Sequence, residues 1–112
     1  MSSSPLDLAS QAAQGFKLLE CEACVQKIKK ALAASGHGGK LVEIRGAGGR
    51  DFMVCLSHDG GQTTITQNGR HLGVLVGDIM FDNLHPNGIH FDLWLKDFDA
   101  IGGVVVFSVT DF

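Results

Sequence analysis

The spacing of apolar residues changes along the chain, from a helical period near the N-terminus to a strand-like period after it. Val25, Ile28 and Leu32 recur at helical spacing while lysines occupy the other side. Gly36 follows this pattern and is typical of a helix C-terminus. The pattern therefore predicts an amphipathic helix over residues 20–35.

The segment before this helix predicts a second, shorter one. Ser4 is typical of a helix N-cap and Pro5 of a first helical position, so we expect this helix to run over residues 5–14. Residues 1–4 are predicted to be a disordered lead. No linker or shift of composition divides the chain, so we expect a single domain over residues 1–112.

From residue 40 onward, short β-branched or aromatic runs alternate with glycine-rich breaks, which predicts an antiparallel sheet. Gly77-Asp78 and Asn68-Gly69 are two-residue hairpin signals, and the runs around them are expected to form a three-stranded meander. A short helix around Trp94 and a strand over residues 104–109 follow. The prediction is an α+β fold, with the N-terminal helices packed on a sheet of four to six strands.

Charge and hydropathy exclude several classes of partner. Nine Lys and Arg residues are scattered among twelve Asp and Glu residues, for a net charge of -3, so neither nucleic acid nor an anionic membrane surface is a predicted partner. The longest apolar run, Gly102 to Phe107, is far too short to cross a bilayer, and no signal peptide is recognisable. The expected location is cytoplasmic.

The candidate chemistry begins with the three cysteines, an odd number in a chain without a secretory signal, which indicates reduced thiols. Cys21 and Cys24 lie near the start of the predicted helix, where a thiolate is favoured and can act as a nucleophile. On a helical wheel Cys21 lies on the axis of the apolar stripe and Cys24 on its flank, so Cys21 is the preferred nucleophile.

A zinc site at Cys21 and Cys24 is the competing interpretation. Such a site needs two more ligands at matching spacing, and the sequence has no second pair. Neither a metal nor a cofactor is predicted. Cys24 and Cys55 are instead expected to be buried as small apolar residues.

The hairpin at Gly77-Asp78 supplies partners for the thiol. Its register places Gly73 opposite Asp82, so that His71 and Asp82 are diagonal neighbours on one face and Asn83 points to the other. Gly73 is expected to leave open space beside Asp82. A register slip of one residue would exchange the roles of Asp82 and Asn83.

His85 is a second candidate for the base. Its place in a loop beside Pro86 favours a role in closing the turn or lining the cleft. Asn83, as a second candidate for the orienting residue, has a structural interpretation too. In that interpretation its side chain holds the Pro86 loop by hydrogen bonds.

Three stretches of this sequence resemble the papain fold toxin 2 domain of bacterial polymorphic toxin systems. They are Cys21-Glu22-Ala23-Cys24-Val25, the strand from Asn68 to Val74, and the stretch from Phe81 to Ile89. The resemblance extends from about Phe16 to Phe98. Its most specific part is the Phe81 to Ile89 stretch together with the upstream Asn-Gly-x-His.

The resemblance implies a papain-like fold and a thiol protease or deamidase, a hydrolase of amide bonds. In the superfamily a Cys opens a helix, a His opens a strand and an Asp or Asn lies on the next strand, which gives a catalytic triad of Cys21, His71 and Asp82. It also implies a protein or peptide substrate, an immunity protein as partner, and delivery into a target cell. The alternative is a non-catalytic papain-fold module for binding or oligomerisation, in which Cys21 would react with electrophiles no faster than Cys55.

Overall fold

The computed structural model describes residues 4–46, 53–65, 69–100 and 105–112. Its elements form an α+β fold of helices and antiparallel strands, which confirms the predicted fold class. In chain order they are α1 (Pro5–Ala13), α2 (Cys21–Ala34), β1 (Lys40–Gly46), β2 (Met53–Cys55), β3 (Arg70–Val76), β4 (Ile79–Phe81), β5 (Ile89–His90), α3 (Phe91–Lys96), β6 (Phe98–Ala100) and β7 (Val105–Asp111).

The strands form a five-stranded sheet in the order β5-β4-β3-β1-β7 and a separate pair, β2-β6. Every pairing in both sheets is antiparallel. Val74 pairs with Phe81 and Val76 with Ile79, which confirms the register predicted from the turn at Gly77-Asp78. The predicted strand over residues 104–109 corresponds to β7, although Val104 lies outside the described residues.

The predicted meander is wrong. The neighbours of β3 are β1 and β4, and the apolar run that ends at Ile65 lies beside β2 instead. Ile65 is buried, and its backbone N–H donates to the Met53 carbonyl at 2.8 Å. Burial of Ile65 in the core beside β2 therefore explains why this run pairs there. The predicted turn residue Asn68 lies outside the described residues.

Both N-terminal helices are where the sequence predicts them, to within one residue at most ends. Ser4 caps α1 by accepting a hydrogen bond from the Asp7 backbone N–H at 3.2 Å. The rest of the predicted disordered lead, residues 1–3, lies outside the described residues. None of the helices in the described part of the chain is long and apolar enough to cross a membrane.

The five-stranded sheet has an apolar core on each face. Leu72, Val74 and Val76 of β3 face α1 and α2, while the other face is covered by a second cluster that includes Met80 and Trp94. Because β3 is central and buried on both sides, a polar side chain on it lies in the protein interior and needs a partner there.

Candidate active site

Cys21 is the first residue of α2 and is partly buried. Its helix has no side-chain cap: the carboxylate of Glu20 at the N-cap position accepts instead from the Lys17 backbone N–H, at 2.6 Å. The N–H groups of the first turn therefore have no capping side chain as a partner and are left to stabilise a negative charge beside them. This is the setting in which a helix N-terminus favours a negative charge.

His71 lies on β3 with its side chain fully buried. Its Nε2 is 2.8 Å from Oδ2 of Asp82, and its ring packs on that of Phe98, with 5.0 Å between the centroids. The other ring nitrogen, Nδ1, has no hydrogen-bond partner among the residues that the structure describes. The Cys21 thiol interacts with the ring.

The thiol of Cys21 is activated by its neighbours. Burial alone would raise the pKa of Cys21, but the interaction with the His71 ring, the imidazolium charge and the backbone N–H of Leu72 outweigh burial and lower it below its usual value. β4 ends at Phe81, opposite Val74, so the N–H of Leu72 lies beyond the paired part of the hairpin. The early end of β4 thus gives the thiol a backbone donor.

The pKa of His71 is shifted in the complementary direction. Its burial opposes protonation, yet hydrogen bonding and charge from Asp82 and Cys21 raise the pKa of His71 to about 9. Thiolate and imidazolium therefore stabilise each other, as an ion pair at the start of α2 requires.

Asp82 is fully buried and accepts hydrogen bonds at both oxygens. Oδ2 is 2.8 Å from both His71 Nε2 and Trp94 Nε1, while Oδ1 accepts from the backbone N–H groups of Leu84 and His85 at 3.0 and 2.6 Å. Burial would raise the pKa of Asp82, but the two histidines it contacts hold this pKa well below the usual range. Asp82 is therefore an anion that orients the imidazole of His71.

The space beside Asp82 is filled, contrary to the expectation from Gly73. A Cβ atom at Gly73 would lie 2.7 Å from Met80 Cε and 3.0 Å from Trp94 Cζ2. The absence of a side chain at Gly73 admits the indole of Trp94, whose N–H then reaches Asp82. The sequence prediction used Trp94 only as an apolar residue. A buried indole N–H needs an acceptor, which is the signal that could have linked it to a buried carboxylate.

Cys24 is fully buried, which confirms the prediction for it. Its Sγ faces α1, 3.9 Å from the Ala13 carbonyl oxygen. Burial and the negative charge of Asp82 raise the pKa of Cys24 to about 12. This thiol remains protonated at neutral pH and belongs to the helix–helix contact.

Asn83 has a structural contact different from the predicted one. Its Nδ2 donates to the Lys17 carbonyl at 2.9 Å, so it holds the segment that leads into α2. The expectation that it holds the Pro86 loop is wrong. Gln14 does this from the end of α1, through Asn87 Oδ1 at 3.0 Å. Because Asp82 points inward, Asn83 faces the connection between the two helices.

His85 closes the turn after β4, as predicted for it. Its backbone N–H and its Nδ1 both contact Asp82 Oδ1, and its Nε2 is 2.6 Å from Asp97 Oδ2. Burial opposes protonation, but these two carboxylates and Cys55 raise the pKa of His85 to about 11. With both ring nitrogens taken by carboxylates, His85 holds Asp82 in place.

A second group of titratable residues extends from His85. Cys55 is buried as predicted, but its Sγ lies 3.3 Å from Asp97 Oδ2 and 4.0 Å from His85 Nε2. Ser57 Oγ contacts the same Asp97 oxygen at 2.5 Å. The sequence prediction missed this cluster, because its members come from three separate segments and no local spacing marks them.

Comparison with family models identifies the family of this chain. The model of the family described as papain fold toxin 2 matches residues 6–99, a span that contains all of α1 except Pro5, the whole of the Cys21 site and the second cluster. No curated protein and no solved structure matches the chain. The match covers most of the chain, and the fold agrees with it. The chain belongs to the papain fold toxin 2 family.

Proposed function

We propose that the protein is a papain-like cysteine hydrolase of amide bonds in which Cys21 is the nucleophile, His71 the base and Asp82 the residue that orients the base. The observation that carries this proposal is the buried imidazole of His71, bound to Asp82 at one nitrogen and coupled to the Cys21 thiol on its other side. Burial of a histidine costs free energy unless its ring nitrogens have partners, so its place on the central strand β3 calls for a function.

The catalytic cycle has two halves. His71 holds the proton of Cys21, and the thiolate attacks the carbonyl carbon of the amide. The carbonyl oxygen becomes an oxyanion, for which the backbone N–H of Cys21 is a donor. The imidazolium of His71 then protonates the leaving nitrogen, which departs as an amine or as ammonia. A water molecule, deprotonated by His71, attacks the thioester and releases the carboxylic acid and the free thiol.

The other two cysteines are poorer nucleophiles. Cys24 and Cys55 are both fully buried, so neither thiol can meet the carbonyl of a macromolecular substrate. Cys55 does lie near a histidine and an aspartate, but both nitrogens of that histidine are bound to carboxylates. Cys21 alone among the three is both accessible and activated.

The family and the surroundings of Cys21 favour a protein or peptide substrate. A hollow of about 390 Å³ borders the start of α2 and is lined by polar side chains that include Glu22, Arg70 and Thr110. Glu22 and Leu72 in its wall are chain neighbours of Cys21 and His71. Hydrolysis of a backbone amide would make the protein a peptidase, and hydrolysis of a Gln or Asn side chain would make it a deamidase. In either case it acts as a toxin inside a target cell and is inhibited by an immunity protein in the producing cell.

The test is a comparison of the protein with its Cys21→Ala variant on a mixture of denatured and native proteins. New peptide N-termini found by mass spectrometry identify a peptidase, and conversion of Gln or Asn to the acid with release of ammonia identifies a deamidase. Cys24→Ala serves as the matched control and should retain a substantial part of the activity. If no product depends on Cys21, and its alkylation at neutral pH is no faster than that of Cys55 and insensitive to His71, the chain is a binding module that retains the fold.

A further inference from the structure

We propose that Cys55, His85 and Asp97 form a binding site for a zinc ion. They come from the end of β2, the turn after β4 and the residue that follows α3. A thiolate, an imidazole and a carboxylate are all ligands that zinc accepts, and the sulfur ligand selects against magnesium and calcium. The proposal is independent of the reaction at Cys21.

The three donor atoms already lie near the separations that zinc imposes. Their mutual distances are 4.0 Å between Cys55 Sγ and His85 Nε2, 3.3 Å between that Sγ and Asp97 Oδ2, and 2.6 Å between Nε2 and Oδ2. Zinc bond lengths in a tetrahedron place such atoms about 3.3 to 3.6 Å apart. To admit the ion, the nitrogen and the carboxylate oxygen have to separate by about 0.7 Å, and the sulfur and the nitrogen have to approach each other by about 0.4 Å.

The opposite side of the imidazole is arranged as zinc sites require. Asp82 Oδ1 lies 2.8 Å from His85 Nδ1 and so keeps the proton on that nitrogen. Nε2 is then the nitrogen that faces Cys55 and Asp97. A carboxylate that orients a zinc-binding histidine in this way recurs in metal sites and raises the basicity of the ligand. The fourth position is left for a water molecule beside Ser57, whose Oγ is 3.5 Å from both Sγ and Nε2.

A bound Zn²⁺ would compensate the negative charges of a thiolate and a carboxylate, so the buried Cys55 can serve as a ligand without an unpaired charge in the interior.

The test uses the full chain with Cys21→Ala and Cys24→Ala combined, which leaves Cys55 as its single cysteine. Co²⁺ added to this variant after treatment with a chelator should give the charge-transfer absorption of one thiolate ligand, and Zn²⁺ should remove that absorption by displacing Co²⁺. Calorimetric titration with Zn²⁺ should show one ion bound per chain. The same stoichiometry is expected for the unaltered protein.

Two further variants locate the site. Cys55→Ser should abolish the charge-transfer band in an otherwise unaltered chain, and Asp97→Asn, which keeps the shape of the side chain, should weaken Zn²⁺ binding at least tenfold. Circular dichroism verifies that each variant folds, and Asp97→Asn decides if Cys55→Ser does not. Absence of the band in the double variant would overturn the proposal. So would Zn²⁺ binding that survives Cys55→Ser or Asp97→Asn but is lost when Cys21 and Cys24 are replaced.

Discussion

One carboxylate, that of Asp82, connects the Cys21 site with the cluster around Cys55. Its Oδ2 holds His71 and its Oδ1 holds His85, so the proposed catalytic base and the proposed zinc ligand share one anion. A buried carboxylate with this many donors is costly to replace, because removal leaves each donor unpaired in the interior. Asp82 thus stabilises the charge of the two imidazoles and also holds the turn after β4 in place.

We expect Asp82→Ala to reduce turnover far more than Asn83→Ala does. Loss of the orienting carboxylate from a triad lowers kcat on the order of 10²- to 10⁴-fold, and loss of the buried partner should destabilise the fold by about 3–5 kcal/mol. Asn83→Ala removes one hydrogen bond to Lys17, worth about 1 kcal/mol. Turnover and urea unfolding of both variants test this, and a folded, inactive Asn83 variant beside an active Asp82 variant would show that Asn83 is the orienting residue.

Cys21→Ala should abolish activity, whereas Cys24→Ala should retain a substantial part of it. The reason is exposure together with pKa, which favours the thiolate at Cys21 and disfavours it at Cys24. Mass spectrometry after brief treatment with iodoacetamide at neutral pH should find the adduct on Cys21. An adduct confined to Cys24, or equal loss of activity in the two variants, would contradict this assignment.

A glycine on β3 allows the short helix α3 to pack closely against the sheet. Trp94 of α3 reaches Asp82 only because β3 carries Gly73 at the point of contact. The position of the helix and the orientation of the Asp82 carboxylate are thus coupled. A side chain at Gly73 would have to push the indole or Met80 aside in a closely packed core.

We therefore expect Gly73→Ala to destabilise the protein by about 1–3 kcal/mol, the usual cost of overpacking, and to lower turnover as the Trp94 N–H withdraws from Asp82. Gly36→Ala is a suitable control. Gly36 has a φ of 76° and open space around it, so its substitution is strained but remote from the site. Urea unfolding should show a loss in both variants, while turnover should fall only in Gly73→Ala. Unchanged turnover in Gly73→Ala would show that the position of α3 does not affect the site.

Local signals in the sequence predicted the elements whose structure is decided locally. The cap at Ser4, the apolar stripe of α2 and the turn at Gly77-Asp78 each act within a few residues, and the hairpin register followed from the turn. The pairing of β1 with β3 and β7, the β2-β6 pair and the position of Trp94 depend on packing between distant segments. So does the cluster of Cys55 with Asp97, 42 residues apart in sequence. Periodicity carries no information about such contacts.

The candidate active site exists only in the assembled fold, because its parts lie on different sides of the sheet. α2 packs on the face of β3 that carries Leu72, whereas His71 belongs to the opposite face, among Phe98 and Trp94. Cys21 can interact with His71 because it lies at the tip of the helix and β4 ends before it reaches this part of β3. The pKa of the Cys21 thiol therefore depends on the packing of α2 against β3 in the folded protein.

The pH dependence of Cys21 alkylation should show this. The rate of alkylation rises with pH as the thiolate forms, and its midpoint should lie below the ordinary thiol pKa of about 8.5. Turnover, which also needs the imidazolium, should fall again as His71 loses its proton near its pKa of about 9, giving a bell-shaped profile. Asp82 on one side of the ring and Cys21 with Glu22 on the other are the charged groups that set these values.

His71→Ala removes one of the three groups that favour the thiolate and leaves the helix N-terminus and the Leu72 N–H in place. Burial of the thiol is then opposed by these two alone, so the alkylation midpoint should move up to about 8.5 or higher. In concentrated urea α2 and β3 no longer meet, so the alkylation midpoints of the unaltered protein and of the variant should both be about 8.5. Identical profiles for the two folded proteins would mean that His71 does not face the thiol. His85 would then be the next candidate for the base, although both of its ring nitrogens are bound to carboxylates.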